Sequence, residues 1–284
     1  MSIGNEEYII EAQKLSFAYD GHETPSLNGL SLQIRKGEKV AFMGANGSGK
    51  STFFLCCNGI HRPNGGRLLF HGKEISYTKK ELKRLRSKVG LVFQDPDNQL
   101  LFASVYQEIS FGIMNLGVEE SIARKRVDEI LRKLGITLLC NRPTHELSGG
   151  EKKQVSIADI LVMDPDVMIL DEPTAALDPK HVEYVNQCME RLSREGVTIM
   201  LAIHDIDYAY EWADQIVLMS EGRILAKGDP LSICSNEELL LAAGLSQPTV
   251  LKLFYQLKGK GIFQKNLEPP ISMKQLEYYI ETLA

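Results

Sequence analysis

The sequence predicts an α/β fold: a mainly parallel sheet around a phosphate-binding loop, with antiparallel β structure before it and a small helical extension behind it. Three observations carry that prediction. Gly44-Ala-Asn-Gly-Ser-Gly-Lys50-Ser51 fits G-x-x-x-x-G-K-[ST] at every fixed position, between an apolar strand-like run, Lys39–Met43, and a helix-like run from Ser51. Two further apolar runs, Asp166–Leu170 and Val197–Ile203, flank a helical pattern over about 180–194. Such strands joined by helices imply a parallel sheet covered on both faces.

Taken in order, the elements read as follows. Tyr8–Tyr19 and Leu30–Ile34 alternate apolar with polar residues around the turn chemistry of Asp20–Pro25, and Gly66–Lys73 reads as a second hairpin. Thr78-Lys-Lys-Glu81 has the capping-box pattern and opens a basic helix. Glu119–Leu134 carries Ile122, Val127, Ile130, Leu131 and Leu134 at helical spacing. From Ser235 the chain turns to short helices: Ser235–Glu238 and Ser272–Gln275 resemble capping boxes, Pro248 suits a first helical turn, and Lys258–Ile262 and Pro269-Pro270 are breakers. A boundary falls near 235–245.

Composition narrows the class. The 284 residues are 44% hydrophobic and 24% charged, as in a globular protein with a substantial core. With 32 basic and 37 acidic side chains, the net charge of −5 gives no general reason to expect nucleic acid as a partner. Cys56, Cys57, Cys140, Cys188 and Cys234 show no metal-ligand spacing and read as reduced thiols of a cytosolic chain. No apolar run reaches 18 residues, and the acidic start, Met1–Glu7, does not suit a signal peptide. Any work at a membrane is therefore expected to go through a partner.

The phosphate loop implies a nucleoside triphosphate. Its glycines let backbone N–H groups of Gly44, Ala45, Asn46, Gly47, Ser48 and Gly49 curl around the β-phosphate, and Lys50 can reach the β- and γ-phosphates. Ser51 would offer its hydroxyl to Mg²⁺, with Thr52 beside it. Val167–Leu170 delivers Asp171 to the carboxyl edge of the sheet, where it can hold the same cation, and alternation along the strand turns Glu172 the other way, toward an attacking water. His204 follows the next apolar strand at that edge.

Leu147-Ser148-Gly149-Gly150-Glu151 narrows the reading, because it resembles the signature of ATP-binding-cassette (ABC) ATPases. With it, Tyr19 resembles the aromatic residue that stacks on adenine, Gln94 the Q-loop glutamine that also approaches the metal, Ala176-Leu-Asp178 the D-loop, and His204 the switch histidine. The resemblance covers roughly residues 8–235. It implies an ABC domain over 1–240 with a helical subdomain at about 95–160, an extension over 241–284, ATP and Mg²⁺ as ligands, and active sites shared between two chains. On physical grounds too, two glycines after Ser148 at a helix start leave N–H groups open to an anion. Two departures stand out. Glu151 replaces the usual glutamine and would repel a γ-phosphate unless Lys152 or Lys153 compensates, and Gln154 stands where arginine is commoner.

A narrower resemblance rests on Val92–Leu100, Ser104–Gly112 and Asn115–Gly117, which look like the ATPases of energy-coupling-factor (ECF) importers of cobalt, nickel and vitamins. Asp171–Pro179 is closer to the cobalt-import subunits of that group. The resemblance implies a peripheral ATPase at the cytoplasmic face of the membrane, a second ATPase chain (identical or not), a transmembrane coupling subunit and a substrate-binding membrane subunit, and no nucleic acid. A soluble ABC ATPase acting on DNA or ribosomes is the first competitor; about 95 residues without sustained heptads separate loop and signature, too few for inserted coiled coils. The second is a cassette that clamps ATP without hydrolysis. The extension's apolar residues Val250, Leu253, Phe254, Leu257, Leu276, Tyr279 and Ile280 would either cap the chain's own core or, by the resemblance, meet their copies on a second chain.

Overall fold

The computed structural model describes residues 8–264 and 266–282; the acidic Met1–Glu7 segment lies outside the described residues. In chain order the elements are β1 (Tyr8–Phe17), β2 (Leu27–Arg35), β3 (Lys39–Met43), α1 (Lys50–Cys57), β4 (Gly65–Phe70), β5 (Lys73–Glu74), α2 (Lys79–Lys88), β6 (Val89–Val92), α3 (Val105–Asn115), α4 (Glu120–Lys133), α5 (Gly149–Leu161), β7 (Val167–Asp171), α6 (Pro179–Arg194), β8 (Thr198–Ala202), α7 (Ile206–Trp212), β9 (Gln215–Ser220), β10 (Arg223–Gly228), α8 (Pro230–Cys234), α9 (Glu237–Ala242), α10 (Thr249–Gly259) and α11 (Met273–Glu281).

Among the described residues, a six-stranded sheet runs in the order β10-β9-β3-β8-β7-β6 and a four-stranded antiparallel sheet in the order β2-β1-β4-β5. In the larger sheet β9, β3, β8, β7 and β6 are mutually parallel and β10 is the antiparallel edge. Period-2 alternation divides the core into two. Ala41, Met43, Leu170, Leu201 and Leu218 face a layer of helices, while Val40, Phe42, Ile169, Met200 and Val217 face α1 and the antiparallel sheet. The parallel sheet is thus covered by helices on one face and by α1, α2 and a second sheet on the other.

Local chemistry explains most helix starts. Thr78, Ser104, Ser148, Asp178, Asp205 and Ser272 each cap a helix by accepting a backbone N–H three residues on. Two expectations shift by a residue. Asn236, not Ser235, caps α9, since an amide oxygen competes as well as a hydroxyl for the N–H of Leu239, and Pro248 precedes α10 as its N-cap instead of opening it.

The C-terminal extension packs onto the helical face. Val250, Leu251, Phe254, Phe263 and Leu276 are buried in the same cluster as Leu218 and Tyr210, and the Tyr210 hydroxyl donates to the Pro270 carbonyl at 3.1 Å. Leu257 and Tyr279 are partly buried against that cluster, whereas Leu253 and Ile280 remain exposed. All five cysteines are free thiols, four of them buried.

Candidate nucleotide and catalytic site

Four neighbouring parallel strands, β3, β8, β7 and β6, end at one edge, and each delivers a functional segment there: the phosphate loop, His204, Asp171-Glu172 and Gln94. The loop rises from β3, which is fully buried from Val40 to Met43, and enters α1 with no side-chain cap. Gly49, the residue at the helix start, has φ of 103°, a region that a side chain strains to reach, and a Cβ there would meet the Ser26 carbonyl at 2.6 Å. The orphan N–H groups of α1 therefore face the loop's concavity, as an anion site requires.

Lys50 is buried and folds back over the loop, donating to the Gly44 carbonyl at 2.8 Å and the Ala45 carbonyl at 3.2 Å. Burial lowers its pKa, opposed by the nearby Glu172 and Asp171 carboxylates. Asp171 moves the other way: burial raises it, while a hydrogen bond from the Ser51 hydroxyl lowers it. A serine hydroxyl bonded to a half-buried carboxylate beside a phosphate loop is a set of hard oxygen donors, and these residues fit Mg²⁺.

Glu172 stands at the centre of the edge. Its carboxylate accepts from the Gln94 amide at 2.9 Å on one oxygen and meets His204 Nε2 at 2.7 Å on the other. The expected cause of its direction needs correction. β7 ends at Asp171 and Glu172 has φ of 44°, so a left-handed backbone turn, not strand alternation, separates the two carboxylates. The Glu172 N–H still pairs with the Ala202 carbonyl at 3.1 Å, which holds the turn in place. A non-glycine residue in this region costs on the order of 1 kcal/mol or more, a strain found mostly at working sites.

Tyr19 lies just past β1, over α1. Its hydroxyl is 3.3 Å from the Thr52 hydroxyl and 3.2 Å from His61 Nε2, and the His61 ring is stacked on Phe17 at 4.7 Å. Sequence reasoning missed His61, a single histidine after α1 with no pattern around it to mark it.

The Leu147–Glu151 segment forms the start of α5. Leu147 is buried, Ser148 caps the helix, and Glu151 completes the capping box by accepting the Ser148 N–H at 2.8 Å. Its hydrogen bonds run within the helix start and to Thr144 and Arg142, not to Gly44–Thr52. The anticipated repulsion by Glu151 is answered differently than expected. Arg142 bonds the Glu151 carboxylate at 2.8 Å, whereas Lys152 pairs with Asp97 at 2.6 Å and Lys153 is buried on loop carbonyls. The Ser148 N–H, partly offset by burial, then the Ser148 hydroxyl and Arg142, hold Glu151 below the usual carboxylate range. Asp178 caps α6 and binds His181 Nδ1 at 2.7 Å.

Residues 27–175 match the family described as ABC transporter. An energy-coupling factor transporter ATP-binding protein of Clostridium perfringens, EcfA2, is 45% identical over 260 residues, 91% of this chain and 90% of its own length. The EcfA2 of Methanospirillum hungatei is 44% identical over 90% of this chain, which spans 64% of that relative's length. Among solved structures, cbiO1 of Clostridium perfringens, described as part of the ABC transporter complex cbiONQ, is 42% identical with a TM-score of 0.74, covering 89% of this chain and 100% of that one. A dimeric ATP-binding cassette in a post-hydrolysis state with ADP and Pi is 26% identical with a TM-score of 0.71, over 78% of this chain and 98% of its own. Identity above two fifths along nine tenths of the chain marks common descent: the chain belongs to the ABC transporter family, in its group of energy-coupling-factor ATP-binding subunits.

Proposed function

We propose that this subunit hydrolyses ATP at sites shared between two chains and thereby energises import of a transition metal ion, cobalt first, through membrane partners. The observation that carries the hydrolytic reading is the Glu172 carboxylate, held on one oxygen by Gln94 and on the other by His204 beside the Lys50-Ser51-Asp171 cluster.

In this reading Tyr19, supported by Thr52 and His61, stacks on adenine, and the backbone of Gly44–Gly49 cradles the phosphates. Lys50 exchanges the Gly44 and Ala45 carbonyls for phosphate oxygens, with little reorganisation because it already points into the loop. Ser51, Asp171 and the Gln94 amide would hold Mg²⁺, which when bound neutralises charge on the transferring phosphoryl group. Glu172 orients the attacking water and takes its proton, and His204 keeps that carboxylate aimed. Ser148, Gly149 and Gly150 of the second chain would donate to the γ-phosphate, with Asp178 near the same junction.

The partners follow from the same reading: a second ATPase chain, a transmembrane coupling subunit and a substrate-binding membrane subunit. Among the described residues no helix is long and apolar enough to cross a membrane; likeness to the energy-coupling-factor ATP-binding subunits supports a peripheral position on the cytoplasmic face. Exposed Leu101 and Phe111 within residues 95–112, and Met114 just after them, support a docking place there for the coupling subunit. Likeness to cbiO1 and the Asp171–Pro179 pattern support a metal ion as solute; relatives named for the energy-coupling-factor group at large favour vitamin uptake as the second reading.

Phosphate release by the purified chain tests the chemistry. Glu172→Gln keeps shape and removes the base, so ATP should bind while turnover drops by about 10²-fold or more; turnover at the parent rate would remove Glu172 from the role. Uptake of labelled cobalt against labelled vitamins, with the partner subunits co-purified from membranes, separates the two solutes.

A further inference from the structure

Lys153 is 1% exposed, and its ammonium donates to the carbonyl oxygens of Phe93 at 2.7 Å and Gln94 at 2.8 Å, with the Asp95 and Asp171 carboxylates near enough to favour its charge against burial. Its neighbours on α5, Val155, Ile157 and Ala158, are buried apolar residues, so an aliphatic side chain would fill the position without the cost of desolvating an ammonium. What the lysine adds is a fixed length and direction between one helix and one loop. The same loop is tied to α5 a second time. Gln99 accepts the Phe93 N–H at 3.3 Å and donates to the Ser156 carbonyl at 2.9 Å. The backbone of Phe93 and Gln94 is therefore set by α5, while the Gln94 side chain remains exposed and reaches Glu172.

α5 has a second end. Its N-cap, Ser148, lies five residues before Lys153, about 7–8 Å along the helix axis at 1.5 Å per residue. We propose that Lys153 is a positioning residue for hydrolysis: it passes the position of the Ser148 end of α5, engaged with the partner chain's nucleotide, to Gln94 and so to the water-orienting carboxylate of its own site. The proposal rests on the shared-site reading above. It makes each chain the link between two composite sites, since a shift of the helix start moves the two carbonyls that bracket Gln94. Lys153, buried on the two backbone carbonyls, acts only through Gln94.

The test uses the full-length chain with three substitutions, Lys153→Met, Lys153→Gln and Lys153→Arg, and Glu172→Gln as reference. Lys153→Gln keeps a donor for one carbonyl and guards against simple loss of fold. Expected for Met and Gln is a fall in kcat of about tenfold or more, ATP affinity per chain within about twofold of the parent, and a Hill coefficient for ATP hydrolysis dropping toward one. Lys153→Arg, which preserves charge and two donors, should return kcat to within about threefold. Folded Met and Gln variants that turn over like the parent, while Glu172→Gln is inactive, would overturn this inference alone. A proportional loss of thermal stability, ATP affinity and kcat without rescue by arginine would reduce Lys153 to packing. Parental turnover by Glu172→Gln would instead bring down the hydrolytic reading beneath it.

Discussion

The imidazole of His181 lies against the α-carbon of Gly150, so closely that a Cβ added to the glycine would meet the ring at 2.2 Å. His181 is itself fixed by Asp178, which accepts its backbone N–H and binds Nδ1. The second glycine of the signature is thus demanded from inside its own chain, apart from any need for a phosphate to approach it. Gly150→Ala should lower turnover by about tenfold or more, because the ring or α5 must shift. Adding His181→Ala removes the obstacle and should return a substantial part of the activity. No recovery in the double variant would place the glycine's requirement at the partner's phosphate alone.

Burial, and then the Glu108 carboxylate, push Asp159 on α5 up to about 7, against the pull of the Gln99 amide. A carboxyl raised on folding contributes stability that is fully present below its ordinary value near 3.8 and lost as pH climbs through 7. Asp159→Asn keeps an acceptor for Gln99 and removes the charge. Its advantage over the parent in urea unfolding should grow between pH 5 and pH 7 by on the order of 2 kcal/mol and level off above. An equal difference at pH 5 and pH 8 would show that Asp159 does not titrate in this window.

Sites shared across chains predict complementation. Lys50→Ala removes a charge-assisted phosphate contact and weakens ATP binding, and Ser148→Arg blocks the opposing surface. In a mixed dimer one composite site carries both lesions and the other neither. Phosphate release well above that of either variant alone is expected; mixed dimers, verified by mass, that stay at the level of the single variants would speak against sharing.

Leu253 and Ile280 are the exposed members of a set whose other members, Val250, Phe254 and Leu276, are buried in this chain's own core. The extension therefore does cap its own core, and only the outward residues are available to a second copy. Leu253→Glu with Ile280→Glu should lower the nucleotide-free dimer fraction in light scattering while leaving the melting temperature within a few degrees and ATP affinity per chain nearly unchanged. An unaltered dimer fraction would exclude this face as the contact.

Much of this architecture was legible because few residue types can do the work. The phosphate loop needs glycines at fixed spacing, and β7 and β8 are unbroken apolar runs, so the sequence alone places their ends. β9 and β10 escape the sequence reading, although Ile216–Met219 is equally apolar and Glu221-Gly222 is a turn, because neither strand ends in a chemical group that fixes its place. The helix α3 is legible only at its Ser104 cap, since Val105–Asn115 carries too mixed an apolar pattern to mark a helix by spacing. Arg142 on Glu151 and Lys153 on the Gln94 carbonyl are contacts between segments 9 and 59 residues apart, and no local pattern encodes such a meeting.

β3 is the strand with the phosphate loop at its end. It is flanked by a parallel neighbour on each side and sealed on both faces, so its amide hydrogens are released only by global opening. Gln94, by contrast, leaves the sheet by an exposed loop that α5 holds through side chains. Deuterium should therefore enter the two halves of the site on different clocks: hours to days for Val40–Met43, and far sooner for the segment after Val92. The phosphates would then bind against an immobile wall, with all the adjustment for catalysis coming from the opposite side.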